Sequence, residues 1–565
     1  MDEFEELELT ANEIGPIPLV RHFFGRLGLD ELLERHVPDR KLGRQSVVSS
    51  ARALSVMVAN VLTSRGPLYS VPGWLQRHIP EHFGLDERKA NAMNDDRIGR
   101  ALDRLYELEP ASLLTSVVMR AVKEFEIDLS QIHSDTTTVT FSGDYEGQAV
   151  KEARDRPPLI TFGHNKDHRP DLKQLVYSLA VTADGAVPVH HKIYDGNTTD
   201  DRTHIETWTT VSQIAGTPDF VYVADSKLCT RENMRFIDER RGTFLTVLPR
   251  SRQEDDAFRS RLQERPVPWQ EVRRQKDKSG KDKPDIVYEA HEPDERTADG
   301  YRIVWFRSTV KAAQDEKRRN RRIKRARMRI ENLEARTGAH RFRSVDAAQQ
   351  AADDVLQDEG AQRWLEIHAV EEQVSDFKQA TPGRPGKRTR YRKVDIPVIL
   401  FEVKERGDTI QADARCDGLF AMVTNDTVRS AKEMLEVYKY QPFLEKRNEQ
   451  LKSVLSVAPV FLKRPERVAA LLLVYFLAVL VFALIERETR RAMSAQGIDA
   501  LPLYPEDRPC KAPTADGVMR AFEGLRRNQL HDANGTVVRT FHDRLSPVAH
   551  QLVKLLRLDR RAFGL

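Results

Sequence analysis

In the stretch EVYKYQPFLEKRNEQLKS, Glu436 to Ser453, the residues Tyr438, Gln441, Glu445 and Lys452 follow one another at intervals of three, four and seven. On one continuous helix those steps are one, one and two turns, so a phenol, an amide, a carboxylate and an ammonium share a face. A polar face is ordinarily a solvated face. Two aspartates upstream change its meaning: Asp135 in the middle of HSDTTTV and Asp225 at the close of YVADS. Alone, each reads first as a turn-former at a strand end. The first and fourth strands of such a meander are commonly neighbours, however, and two carboxylates side by side repel unless a cation separates them. Joined to Glu445 they make three hard oxygen donors, the set suited to Mg²⁺, which keeps waters and accepts phosphate oxygens directly.

The elements that must position these groups follow from periodicity. Residues 1–125 read as helical, with apolar positions at three- and four-residue steps in LVRHFFGRLGLDELLERH and DDRIGRALDRLYELEPASLLTSVVMRAVKEF, and form a separate N-terminal domain. From Ile127 the period becomes two. The predicted order over residues 126–250 is strand, strand, strand, helix, strand, helix, strand: a mixed α/β sheet that starts as antiparallel meanders and ends with crossovers. Residues 251–412 are charge-rich and interrupted by QKDKSGKDKPD and TPGRPGKRTR, the pattern of an insertion. The α/β signal returns over 413–496 with the strand CDGLFAMVTND and the helix of Glu445, and 497–565 reads as a helical tail.

Composition narrows the class. The chain has 565 residues, 31% of them charged, and a net charge of only +4, so the information lies in where the charges cluster. Two basic runs, Lys317–Arg329 (KRRNRRIKRARMR) and Pro382–Lys393 (PGRPGKRTRYRK), suit phosphates, against the plainer reading of a solvated helix face and a basic loop. Cys229, Cys416 and Cys510 show no CxxC spacing, which fits a reducing cytosol. The apolar run Val468–Ile485 reaches the lower bound for a membrane span; it is equally what the centre of an α/β domain buries. His164, His168, His190 and His191 lack the cysteines and spacing of a zinc site. Lys166, His168, Arg169 and Lys173 read as a basic lip or a solvated loop, and Asp417, Asn425 and Asp426 as supporting or turn-forming groups.

Five ordered blocks, GHNKDHRPDLKQLVYSLAV, YDGNTTDDRTH, YVADSKL, DGLFAMVTND and YKYQPFLEKRNEQLKSV, resemble a bacterial insertion-sequence transposase of the Asp-Asp-Glu class, in the subgroup with the signature Tyr-x2-Arg-x3-Glu-x6-Lys. The resemblance covers nearly the whole chain. It implies a ribonuclease-H-like catalytic core, a large insertion between Asp225 and Glu445, and N-terminal helices that bind DNA. It carries over Asp135, Asp225 and Glu445 as catalytic residues and ligands of two Mg²⁺ ions, with Mn²⁺ as a substitute, and Tyr438 and Lys452 as phosphate contacts. Where the signature has arginine this chain has Gln441, so the contact expected there is a neutral amide hydrogen bond. The reaction implied is hydrolysis at the element's end followed by 3′-hydroxyl strand transfer. The partners implied are the terminal inverted repeats and target DNA, with a homodimer in the synaptic complex, no membrane, and a cytoplasmic location. A structure-specific nuclease on the same fold and a domesticated DNA-binding protein with idle catalytic machinery remain alternatives.

Overall fold

The computed structural model describes residues 7–40, 46–64, 66–108, 110–143, 145, 156–166, 169–276, 284–336, 342, 344–454 and 462–565. The chain forms two compact units, one of Met1–Thr246 with Leu435–Leu565 and one of Val247–Met434.

The first unit opens with strand β1 (Glu8–Glu13) and helices α1 (Ile17–Leu27), α2 (Leu29–His36), α3 (Ser50–Thr63), α4 (Val71–Arg77), α5 (Glu87–Asn91), α6 (Asp95–Glu107) and α7 (Pro110–Phe125). Ser49, Asp86 and Asn94 each accept a hydrogen bond from the amide three residues on, satisfying a donor that the first helical turn leaves open. Five strands follow: β2 (Gln131–Phe141), β3 (Lys173–Thr182), β4 (Pro188–Tyr194), β5 (Val221–Val223) and β6 (Thr243–Val247), with α8 (His204–Ala215) and α9 (Arg231–Glu239) as crossovers. Their order is β4-β3-β2-β5-β6. The first three are antiparallel and the last two run parallel to β2. This is the mixed α/β arrangement expected from the sequence, antiparallel first and then parallel. The β-branched run Thr136–Thr140 stiffens β2 into an extended chain at the sheet centre. At the β3–β4 turn, Gly185 has φ +81°, and a Cβ there would lie 2.9 Å from the Arg487 side chain, so the turn requires glycine.

The second unit holds α10 (Gln253–Glu264), β7 (Gln270–Gln275), β8 (Ile286–His291), β9 (Arg302–Ser308), α11 (Thr309–Arg336), α12 (Val345–Glu359), β10 (Leu365–Gln379), β11 (Tyr391–Glu405), α13 (Gly407–Ala414) and β12 (Leu419–Thr424). Within it β12, β9, β8 and β7 pair antiparallel in that order. Phe258 of α10 stacks on Trp305 of β9 with ring centroids 3.9 Å apart. The basic run Lys317–Arg329 lies on α11, whose Ile323, Ala326 and Ile330 close a small core with α12 and the base of the β10–β11 ribbon. This unit is wider than the expected insertion of 251–412. The strand β12, expected in the second part of the core, pairs with β9.

The chain returns through α14 (Ala431–Tyr438), α15 (Gln441–Glu449), a π-helical turn at Gln450–Val454, and the 31-residue α16 (Pro465–Ala495). By length and composition α16 could cross a membrane, but 94% of its most apolar stretch is buried. Helices α1, α3, α6 and α7 and strand β4 pack against it. The N-terminal helices therefore share one unit with the β2–β6 sheet and do not form the separate domain that the periodicity suggested. The tail is not wholly helical either: Arg526–His531 and Val537–His542 form a hairpin, and β1 adds to it antiparallel. A pairing between residues more than 500 positions apart leaves no local pattern to read.

Candidate active site

Strand register places the two aspartates. In the parallel pair β2 and β5, Gln131, Ile132 and His133 face Val221, Tyr222 and Val223. Two residues further along each chain, Asp135, still within β2 and paired with Leu179 of β3, comes level with Asp225, which lies just past the end of β5. Asp225 also caps the turn that follows, accepting from the Lys227 amide at 3.0 Å. Burial pushes the Asp135 carboxyl up to about 6; Lys166 pulls against that, and Asp225 and Asp200 add to it. Burial also raises Asp225, against the hydrogen bond from Lys227.

Glu445 lies on the exposed side of α15. The Tyr438 phenol connects it to the aspartates. Burial and then the charges of Asp225, Glu445 and Asp135 push that hydroxyl up to about 12. Asn448, one turn beyond Glu445, is buried and its Nδ2 donates to Asp135 Oδ2 at 3.4 Å.

The helix face drawn from the sequence is broken. A turn at Lys439 and Tyr440 separates α14 from α15, Pro442 sits in the first turn of α15, and the π-helical turn carries Lys452. Gln441 does not point to a phosphate. It is buried, its Oε1 accepts from His133 Nδ1 at 2.8 Å, and its Nε2 reaches the Ser134 carbonyl at 3.4 Å. The His133 ring accepts at Nε2 from Gln131 at 2.7 Å, which assigns the proton to Nδ1, and burial lowers this histidine to about 4. Gln441 thus fastens the start of α15 to the strand of Asp135. The expectation of a phosphate contact fails because the break at Tyr440 turns position 441 inward.

Several further groups position the site, Lys166 of the basic lip among them. Asp200 accepts from Thr136 Oγ1 at 2.6 Å and pairs with Lys166 at 3.0 Å. The Lys166 ammonium also donates to the Thr136 carbonyl at 2.6 Å and lies 3.6 Å from Asp135. Burial works against that charge, but Asp135 and Asp200 outweigh it and hold the ammonium above its usual value. The last turn of α15 is fixed by Arg447, which is buried, pairs with Glu486 of α16 at 2.8 Å and donates to the carbonyls of Ala186 and Gly185 at 3.0 and 2.9 Å. The apolar helix therefore anchors the glutamate helix to the β3–β4 turn.

Other candidates do local work. His191 stacks between Tyr177 and Phe476, and His190 is buried beside it; burial lowers both, so they are neutral core rings. His164 is exposed, and His168 lies outside the described residues. Arg169 is exposed and pairs with Asp171, while Lys173 lies over the Phe162 ring. In the second unit Asp417 binds Arg319 through two contacts of 2.8 Å, and Asp426 accepts from the Val428 and Arg429 amides as a turn-former.

Residues 9–119 match a family described as a domain of unknown function, DUF4277. No curated protein matches the chain. Among solved structures, the chain is similar to the piggyBac transposase in a synaptic complex with hairpin DNA, at 9% identity and a TM-score of 0.39, covering 91% of this chain and 81% of that one. A likeness that distant carries no argument about the site, which rests on its own geometry.

Among the described residues no three donors close into a ready cluster for one metal ion. The chemistry of the set nevertheless fits a hard divalent cation. Asp135 and Asp225 are level and partly buried, and burial raises both carboxyls even with the Lys166 ammonium nearby; the buried Asn448 Oδ1 has no hydrogen-bond partner.

Proposed function

We propose that this chain is a DNA transposase of the Asp-Asp-Glu class. The observation that carries the reading is the placement of Asp135 in a central strand level with Asp225 at the end of its parallel neighbour, with the helix of Glu445 joined to Asp135 through Asn448.

Asp135, Asp225 and Glu445 would hold Mg²⁺, or Mn²⁺ in its place. Bound there, two such ions supply an activated oxygen nucleophile and neutralise charge on the phosphate. The chain's own residues do the rest. Asp135 and Asp225 keep their geometry because two hydrogen-bonded strands fix them. Lys166 offsets part of their negative charge in the resting protein and orients Asp200 and Thr136 beneath them. Arg447, Gln441 and Asn448 hold α15 so that Glu445 faces the same space. Tyr438, protonated at any working pH, is a hydrogen-bond donor suited to a phosphate oxygen. Rigid placement of this kind matters because a misplacement of about 1 Å can cost about a hundredfold in rate.

The partners under this reading are the terminal repeats of the element and target DNA, brought together by a homodimer. The test is incubation of the chain with Mg²⁺ and a duplex made from the DNA that flanks its gene. Strand cleavage followed by joining of the new 3′ end supports the reading. Cutting without joining replaces it by a nuclease, and binding without cutting under either metal replaces it by an idle DNA-binding protein.

A further inference from the structure

The ribbon of β10 and β11 is paired without a break from Leu365↔Glu405 to Gln379↔Tyr391. Only its base has a core: Leu365, Ile367 and Phe401 pack against α11 and α12. Beyond Val370 the residues of β10 are exposed, with Gln379 at the tip half-buried. Nine residues at about 3.4 Å each give a free arm of about 30 Å. A two-stranded ribbon is marginal in water on its own, so such an arm is expected to have a partner.

Charge along the arm names the partner. From Lys378 to Lys393 there are seven cations, Lys378, Arg384, Lys387, Arg388, Arg390, Arg392 and Lys393, and no acid. The shaft, residues 365–377 and 394–405, carries seven acids and only Lys404 as a lysine or arginine. A surface built only for solubility has no need to separate the signs; here the tip attracts a polyanion and the shaft repels it. The tip is also ordered. The Gly386 amide donates to Thr389 Oγ1 at 2.7 Å, the Thr389 amide donates back to the Gly386 carbonyl at 3.0 Å, and the Ala380 amide donates to Arg390 at 2.8 Å. By register Phe377, Tyr391 and Lys393 share one face of the ribbon, and the two rings are 65% and 53% exposed. Exposed aromatic rings beside cations are costly in water and useful against base edges.

We propose that this arm inserts its tip into the major groove of duplex DNA. The inference rests on the transposase reading for the class of partner. The major groove is about 12 Å wide and admits a two-stranded ribbon, whereas the minor groove, about 6 Å wide, does not. The loop cations then lie along the phosphates on either side, and Phe377 and Tyr391 lie against the groove floor, where thymine methyl groups offer apolar contact. The acidic shaft limits the depth of entry to the tip.

The test uses the full chain and a mixed-sequence 30-base-pair duplex. A second duplex carries bulky glucosyl groups on pyrimidine C5, which project into the major groove. The variants are R384A/K387A/R388A/R390A, which leaves the ribbon's ladder intact, and Phe377→Ser. The expected result is an at least tenfold loss of affinity for the quadruple variant at moderate salt, with the salt slope falling by about two to four. The glucosylated duplex should weaken the parent comparably and weaken the quadruple variant little further, and Phe377→Ser should lose affinity without a change of slope. Equal binding of both duplexes by the parent, or parent-like binding by the quadruple variant, overturns the inference. So does a change of oligomeric state in that variant without DNA, which makes the arm a contact between copies of the chain. Strand cleavage by the parent is read in parallel, with Mg²⁺ and a duplex made from the DNA that flanks its gene. Arm-dependent binding without cleavage removes the transposase reading and leaves the arm; cleavage with arm-independent binding does the reverse.

Discussion

Arg447 and Glu486 form a buried ion pair 2.8 Å long that joins the helix carrying Glu445 to the central helix of its unit. Glu486 lies immediately after the apolar run and accepts in addition from the Ala515 amide at 3.2 Å. Removing one partner strands a charge in the core, at a cost of about 3–5 kcal/mol, whereas replacing both by apolar residues of similar size costs far less. Arg447→Met and Glu486→Leu should therefore each lower the urea midpoint strongly, and the double variant should recover much of the loss. The double variant should stay inactive, because the carbonyls of Gly185 and Ala186 no longer hold α15. Additive losses in urea would show that the two side chains act independently.

Gln441→Arg restores the residue of the signature, yet the structure predicts damage. A guanidinium has no acceptor to offer the Nδ1 proton of His133 and enters a closed space. The expected loss is about 1–3 kcal/mol of stability, with weaker cleavage. An unchanged melting temperature with raised activity would return Gln441 to a phosphate-facing role.

The raised Asp135 carboxyl gives a pH dependence of definite sign. Its ordinary value is about 3.9, so between about 4 and 6 the folded chain binds more protons than the unfolded one, and stability falls as pH rises through that window. Without divalent ions the chain should melt higher at pH 4.5 than at pH 7 as far as this group is concerned, and Asp135→Asn should flatten that difference. Mg²⁺ should raise the melting temperature at pH 7, less at pH 5, and not at all in Asp135→Asn. A metal-induced shift that survives Asp135→Asn at pH 7 would remove this residue from the ion's ligands.

The basic run on α11 is divided. Arg319 is buried against Asp417, whereas Arg318, Arg321, Arg322, Lys324 and Arg325 face solvent. Changing the five exposed residues to alanine should weaken binding to many DNA sequences alike and lower the salt slope, because phosphate contacts carry no sequence information. Arg319→Ala should instead lower the melting temperature. Parent-like binding by the fivefold variant would mark the run as a solvated helix face.

Much of this site is legible in the sequence for a physical reason. The strand and helix order from Gln131 to Val247 follows from local periodicity and turn residues, and parallel pairing of β2 with β5 then sets Asp135 beside Asp225. What local pattern cannot show is the direction a residue faces after a break. Gln441 fits an outward face only if Lys439 and Tyr440 continue the helix, and they do not. Lys166 is legible as part of a basic lip, but its partner Asp200 is not: the two become neighbours only in the folded chain. Local pattern also cannot show long-range pairing, such as that of β1 with Arg526–His531.

The central claim is that Glu445 completes the metal-binding carboxylates. Glu449, one turn further along α15 and also exposed, is the control. The decisive measurement is the rate of Mg²⁺-dependent cleavage of element-end duplex by the parent, Glu445→Gln and Glu449→Gln, with DNA binding measured in parallel. The glutamine keeps the side chain's shape and removes the charge that a hard ion needs. The account predicts that Glu445→Gln binds DNA like the parent but cuts at least a hundredfold more slowly, while Glu449→Gln cuts near the parent rate. Near-parent cleavage by Glu445→Gln, with the loss appearing in Glu449→Gln, would contradict it.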